Sequence, residues 1–495
     1  VKKLMADGQR LVNEDGAQVI LNGINLVCKD KSKGYVYPCD ESLFAWFQGQ
    51  GFNVIRLGLI WDGVEPEPGV YDDRYLARIK QQADWAARHG IYVFLDMHQD
   101  LYSLLYGDGA PPWATITDGL PHVEGPMWSD AYLISPAVGR ALDHFWRNSA
   151  ASDGIGLQDH YASMWQHISQ FFSDCPNLIG YDIMNEPYPG SGGEEVFGAI
   201  IAAYAQRVLG LAEADAESLA GLWFDEEKKQ EVLAGMADME VYGMLAESAQ
   251  SASQAFEREV LSPFYDKMGT AIRRADSDRF LMLETSYFAN MGIESGVELA
   301  RDTATGSADR RQVYAPHGYD LVVDTEHYEI YNQDRVDLIF AAHRRVQERL
   351  QVPVLVGEWG AFTDHPATFE LTKEILAIFE QYLWSNTYWC WVDGHRQTPY
   401  AAALNRAYPQ ATGGKLVEYR YEREKGIFRM VYEPAGHEES WIYHPHAARL
   451  AAEMVDIDGT SACQIEIRPL PDAEGGIVAI RAPQSSGPVI VTIRG

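Results

Sequence analysis

Short apolar runs recur along the chain, and most of them stop at polar residues. They lie near 20–26, 53–58, 91–97, 178–184, 280–284, 312–317, 352–358 and 387–391. Their length and aliphatic content read as buried strands. Between them the apolar positions change to helical spacing. Leu76, Ile79, Ala83, Ala86 and Ala87 put one stripe on a helix over 75–88, closed by Gly90. Windows 43–50, 136–146, 157–172, 336–350 and 369–384 also read as helices. The turn signal Asn13-Glu14-Asp15-Gly16 makes 9–26 a short hairpin leading into the first strand. Alternating strands and helices favour a parallel sheet. Eight such strands predict an α/β chain with a (β/α)₈ barrel.

Three stretches break the alternation. Residues 101–135 form a long loop rich in Gly, Pro and Trp, of the kind that usually carries function. Residues 194–260 are helical and acidic, with Trp223, Phe224, Met236, Met239 and Met244 interspersed. They read as helical hairpins packed on the scaffold, or as a mobile cap whose apolar face holds a greasy substrate. After about 408, strand-like pieces separated by turns replace the helices, and predict a small β-sandwich. The expected division is thus a barrel over 1–407, with its helical insertion, and a β-domain over 408–495.

Charge narrows the partners. The 71 acidic and 40 basic residues give a formal charge of −31, which argues against nucleic acid and against electrostatic docking on an anionic membrane. Apolar contact with lipid stays open. No apolar run approaches the ~20 residues of a spanning helix, so stable membrane insertion is not expected. The first five residues carry no signal-peptide core, which leaves secreted and cytoplasmic locations equally open. Five cysteines without a CxxC pair indicate neither a zinc ribbon nor a redox pair. Cys28 and Cys39 either bridge or stay as partly buried thiols.

The chemistry gathers at the strand ends. The run 178–184 stops at Asn185-Glu186-Pro187, where proline ends the strand and presents an Asn-Glu pair. The run 352–356 delivers Glu358 into a Gly-bounded turn. The C-terminal strand ends are where a barrel of this kind places its chemistry. Two carboxyls there are what glycoside hydrolysis needs: one protonated to serve the departing oxygen, one ionised to attack the anomeric carbon. Glu186 is expected as acid/base, and Glu358 as nucleophile, held ionised by hydrogen bonds from Arg56 and Tyr319. Arg56, His98, Asp100, Asn185, His317, Tyr319 and Trp389 fall at strand ends too, as candidate sugar contacts. Trp389 offers a face for a sugar ring; for Trp391 stacking and core packing weigh equally. His98 and Asp100 suggest a metal, but no HExxH and no third close ligand appears, so carbohydrate hydrogen bonding is the simpler role. No metal or organic cofactor is implied.

These motifs carry a resemblance. Asn53-Val54-Ile55-Arg56-Leu57, Asp96-Met97-His98-Gln99-Asp100, Asn185-Glu186-Pro187, His317-Gly318-Tyr319 and Gly357-Glu358-Trp359-Gly360, in that order, resemble glycoside hydrolase family 5. Stretches 64–72, 95–103, 109–115 and 118–121 look most like the endoglycoceramidases of that family, and the likeness runs nearly end to end. The resemblance implies a retaining hydrolase cleaving the β-bond between glycan and ceramide in glycosphingolipids. It matches Lys29 and Asp100 to sugar-contacting residues. Relatives with the same chemistry imply the alternative of a β-glucosidase on monoglycosylated lipid, sterol or plant glycosides. The insertion would either close the glycan side, favouring a single sugar, or widen the aglycone side.

Overall fold

The computed structural model describes residues 1–210, 226–323, 325, 327–436 and 439–495. Eight parallel strands form the central sheet: β4 (Asn22–Leu26), β5 (Val54–Ile60), β6 (Tyr92–His98), β7 (Leu178–Asp182), β8 (Phe280–Leu283), β9 (Gln312–Tyr314), β11 (Leu355–Val356) and β13 (Ser385–Tyr388). Their order, β11-β13-β4-β5-β6-β7-β8-β9, leaves β9 and β11 as the two ends. A parallel bridge between Tyr314 and Val354, with Tyr314 N–H donating to Pro353 O at 2.9 Å, brings those ends together. The result is the near-closed barrel that the eight apolar runs predicted. Helices follow the periodicity closely, at Glu41–Gly49, Asp73–Arg88, Pro136–Trp146, Leu157–Phe171, Gln333–Leu350 and Thr368–Tyr382. Helix Ser262–Arg273, which precedes β8, lies just beyond the helical window read from the sequence.

At the N-terminal end of the barrel, Leu4, Leu11 and Val19 pack with Leu21, Val54, Phe94, Ile179, Phe280, Val313 and Leu355. The first three come from β1 (Leu4–Asp7), β2 (Arg10–Asn13) and β3 (Gln18–Val19). The N-terminal hairpin therefore plugs the barrel floor, and the C-terminal strand ends open on the other side.

The same hairpin continues a second, antiparallel sheet. β3 pairs with β14 (Tyr408–Thr412), and the order runs on through β17 (Ser440–His444), β19 (Gly476–Arg494), β16 (Ile427–Pro434) and β15 (Gly414–Glu422). The long β19 serves two half-sheets. Its residues 476–480 pair with β17 and its residues 489–494 with β16, while β18 (Val455–Pro469) runs beside both. Tyr432, Phe428, Ile442, Val478, Ile480, Val491 and Ile493 from both halves share one core. Tyr408 and Tyr443 hydroxyls donate to Gly51 O and Gly49 O at 2.6 and 2.7 Å, tying this sheet to the barrel.

Of the insertion, the structure describes Gly193–Arg207, Glu226–Gly235 and Met239–Phe256 as helices; Trp223 and Phe224 lie outside the described residues. These helices are packed on the barrel rim. Tyr242 Oη donates to Met291 O at 2.6 Å, Asn332 Nδ2 to Ala237 O at 3.1 Å, and Gln254 Nε2 to Glu294 O at 2.9 Å. Buried Arg335 joins Asp320 to the Met236 carbonyl, reaching the latter at 3.3 Å. Among the described residues no helix is long and apolar enough to cross a membrane. All five cysteines are free thiols, Cys28 and Cys39 included.

Candidate active site

Glu186 and Glu358 stand on the rim of the barrel mouth, after β7 and on β12 (Glu358–Trp359), with β8 and β9 between them in the barrel order. One carboxylate oxygen of each lies within 4.8 Å of the other, with a His317 ring nitrogen between them. His317 Nδ1 is 2.9 Å from Glu186 Oε1 and 3.6 Å from Glu358 Oε2. The ring lies over Gly357, where a Cβ would come within 2.8 Å of its Nε2. Only glycine lets the Glu358 strand approach so closely. β10 (His317–Gly318) pairs with β12 in register, His317 opposite Glu358, which fixes that juxtaposition.

Beneath the pair lies a fully buried charge network. Arg56 Nη1 donates to Glu358 Oε1 at 2.5 Å and Nε to Asp182 at 2.8 Å. Nη2 reaches Asp96, Asn185 and Glu284 at 2.9, 3.0 and 2.7 Å. A buried guanidinium is stable only because its planar fork meets several acceptors at once. Tyr319 Oη donates to Glu358 Oε2 at 2.7 Å, so each oxygen of that carboxylate has a donor. Glu186 has the opposite surroundings. Burial pushes its carboxyl up to about 7, with the Glu358 and Asp100 charges adding to the rise and His317 opposing it. Burial works against a charged His317, but the Glu284 and Glu358 carboxylates outweigh it and hold the imidazolium well above its ordinary range. Two carboxyls with such different partners suit an acid and a nucleophile.

On the β4–β6 side, Lys29 is ion-paired with Asp100 and lies 3.9 Å from Asp108. Burial resists ionisation of Asp100, yet Lys29 and His98 bring it down to about 2; Asp108 is pushed up to about 6 by burial, with the Asp100 charge adding. His98 is held at about 10 against burial by Asp96, which its Nδ1 meets at 2.9 Å. The His98 ring stacks on Trp389 at 5.0 Å, and Lys29 Nζ sits 5.0 Å from the centre of the same indole. The sequence offered no third ligand near His98 and Asp100; the fold supplies Asp108, because the 101–110 loop doubles back and Asp108 bridges Asp100. Among the described residues, Asp182, Glu284 and His317, and Glu186, His317 and Glu358, form the other groups with donor atoms within 4.8 Å. In each group a cation of the chain already meets the carboxylates: Lys29, Arg56 or His317.

A cleft of about 530 Å³ opens over these residues. Lys29, His98, Asp100, Asn185, Glu186, Tyr319, Glu358 and Trp389 line it. Arg56 and His317, expected among the sugar contacts, do not: at 0% and 1% exposure they sit under the floor, against the two glutamates. Trp391 packs in the core with Trp46, Phe47 and His395. The cleft is two-faced. Its polar lining comes from the strand ends, through Lys29, His98, Asp100, Asn185, Glu186 and Glu358. Its apolar lining comes from the insertion, through Ile200, Ile201, Leu233, Met236 and Leu245, and from the segments after β6, β8 and β10. The insertion adds an apolar roof to the cleft and is fastened to the loops after β8 and β10.

Family models match both parts of the chain. The cellulase model of glycosyl hydrolase family 5 matches residues 12–213 and 238–395, and the glycoside hydrolase family 5 C-terminal domain matches 406–494. The chain belongs to glycosyl hydrolase family 5. Among family relatives, endoglycoceramidase I of Rhodococcus hoagii is 25% identical over 100% of this chain and 88% of its own. An endoglycoceramidase of Cyanea nozakii is 31% identical over 37% of this chain, which spans only 41% of that longer relative. Endo-glycoceramidase II from Rhodococcus sp., solved as a ganglioside GM3 complex, superposes with a TM-score of 0.75 at 25% identity, covering 99% of each chain. The same protein solved as a lactosyl-enzyme intermediate gives 0.73 at 26%, covering 98% of each.

Three residues that the fold brings to the two glutamates or to Asp100 were not among those the sequence pointed to. Glu284 was visible as an acid ending the 280–284 run, the same signal that marked Glu186. Asn290 and Asp108 left no such mark, because they lie on loops whose path only the fold sets. The apolar roof was visible as methionines and aliphatics in 194–260, but not its place over the cleft.

Proposed function

We propose that this chain is a retaining glycosidase that cleaves the β-bond between glycan and ceramide in glycosphingolipids, with Glu186 as acid/base and Glu358 as nucleophile. The observation that carries the reading is the spacing: carboxylate oxygens within 4.8 Å of one another. Retaining enzymes hold their carboxyls about 5–5.5 Å apart, whereas inverting ones leave roughly 6.5–9.5 Å for a water. Glu358 attacks the anomeric carbon as the bond to the ceramide oxygen breaks, and Glu186 gives its proton to that oxygen. Water then takes the place of ceramide; Glu186 accepts a proton from it as its oxygen bonds the anomeric carbon, the bond to the Glu358 carboxylate breaks, and the glycan leaves. Arg56 and Tyr319 donate to the two oxygens of Glu358 and orient it for the attack. Lys29, His98, Asp100, Asn185 and Trp389 receive the sugar; the apolar roof receives the lipid. The barrel over 1–407 carries this chemistry and the domain over 408–495 supports it. The substrate partner is a glycolipid, not a nucleic acid.

Product analysis on ganglioside GM3 and glucosylceramide, both in detergent, tests the proposal. Release of the whole GM3 oligosaccharide with ceramide is expected. Cleavage of glucosylceramide alone would replace this reading with a glucosidase of monoglycosylated lipids. Turnover of neither would sink both.

A further inference from the structure

Glu284 does not line the cleft, yet three functional groups meet on its carboxylate. Oε2 accepts the main-chain N–H of Glu186 at 2.7 Å. Oε1 accepts Arg56 Nη2 at 2.7 Å and lies 3.4 Å from His317 Nε2. The Glu186 peptide needs such a partner, because its φ of +43° is in the left-handed region that a residue with a Cβ avoids. Six residues further along the same segment, Asn290 Nδ2 donates to Glu186 Oε1 at 2.7 Å. His317 Nδ1 meets the same oxygen at 2.9 Å. Two donors on Oε1 place the acidic proton on Oε2, the oxygen left to the cleft. The segment itself is fastened from behind by buried Glu257, which accepts Ser286 N–H at 2.9 Å, Ser295 Oγ–H at 2.7 Å and Gly296 N–H at 2.5 Å.

Resting on the glycosidase reading above, we propose that the segment after β8 is the positioning element of the proton donor: Glu284 holds the main chain of Glu186, and Asn290 holds its carboxyl so that the proton sits on Oε2. Glu284 is a positioning residue, since it acts through Glu186. Its signature is therefore dependence on the leaving group. A departing 2,4-dinitrophenolate needs no proton, whereas a departing alkoxide does.

The test compares kcat/KM for matched 2,4-dinitrophenyl and alkyl β-glycosides of one glycan. In Glu284→Gln one amide N–H must face either Arg56 or the Glu186 N–H, a donor against a donor. Hydrolysis of the alkyl glycoside is expected to fall about 100-fold, the lower end of what general acid catalysis supplies, and the dinitrophenyl glycoside to stay within about threefold. Asn290→Ala, which leaves Arg56 untouched, should show the same selectivity with a loss of about tenfold on the alkyl substrate. It carries the test alone where Glu284→Gln does not fold. Equal losses on both substrates, or no loss on either, overturn the assignment. A wild type that hydrolyses neither glycoside overturns the glycosidase reading, and this inference falls with it.

Discussion

Glu186 is held in a state that its own ionisation opposes. Its folded pKa of about 7 lies above the ordinary carboxyl value. The folded state therefore favours the proton: this contribution to stability is fully present below pH ~4.5 and is lost as pH rises through about 7. Glu186→Gln removes the penalty. Thermal melts should show the variant gaining on the wild type as pH rises from ~4.5 to ~7, by up to about 3 kcal/mol. The same titration shapes catalysis. An acid must be protonated, so kcat/KM should fall on the alkaline side with an apparent pKa near 7, and that limb should vanish for substrates whose leaving group needs no proton. Glu358→Gln should lower turnover by on the order of 10³-fold or more, measured on the same glycosides, because an amide is not a nucleophile toward the anomeric carbon. Arg56 is a different matter. Replacing it with Leu strands four carboxylates around a vacated charge, and unfolding by urea should show a loss of roughly 3–5 kcal/mol.

The insertion helices belong to the next scale. Ile200, Ile201 and Leu245 turn their apolar side to the cleft, while Tyr242 and Gln254 bind the helices to the rim. These hydrogen bonds join the described helices to the rim and make them part of the wall of the site. Its contribution should depend on how much lipid it covers. Leu245→Ala removes up to about 2 kcal/mol of apolar contact, so KM for a long-chain glycolipid should rise roughly ten- to thirtyfold. KM for a short soluble glycoside should move less than about twofold. A rise of equal size on both substrates would mean that the helix supports the barrel and not the ligand.

At the scale of the whole molecule, the chain is stitched at both termini. β1–β3 plug the barrel floor and also extend the C-terminal sheet, so the two sheets share a wall. Arg406, buried against Glu380, and the tyrosines bonded to Gly49 and Gly51 add to the seam. A chain ending at 407 would expose Ile20 and lose the strand that β3 pairs with. Size-exclusion chromatography should show it aggregating, whereas co-expression of 408–495 should recover part of the soluble material. The expected boundary near 407 took the N-terminal hairpin as part of the barrel alone. Nothing in the alternation of Leu4, Leu11 and Val19 tells which of two sheets a short strand will join.

By itself the sequence determined what depends on local order. Strand length, helical spacing and the stops at Pro and Gly set eight strands with helices between most of them and put Glu186 and Glu358 at strand ends, because backbone hydrogen bonding and apolar periodicity act over a few residues. What depends on distant segments meeting was decided by the tertiary structure. Only barrel closure brings the two carboxylates within 4.8 Å, sends Arg56 and His317 beneath them and not into the cleft, and folds Asp108 back onto Asp100. Only packing across the rim brings Ile200, Leu233 and Leu245 of the insertion into the lining of the cleft. Proton affinity, burial and charge pairing are properties of these assembled neighbourhoods, and a residue read alone carries none of them.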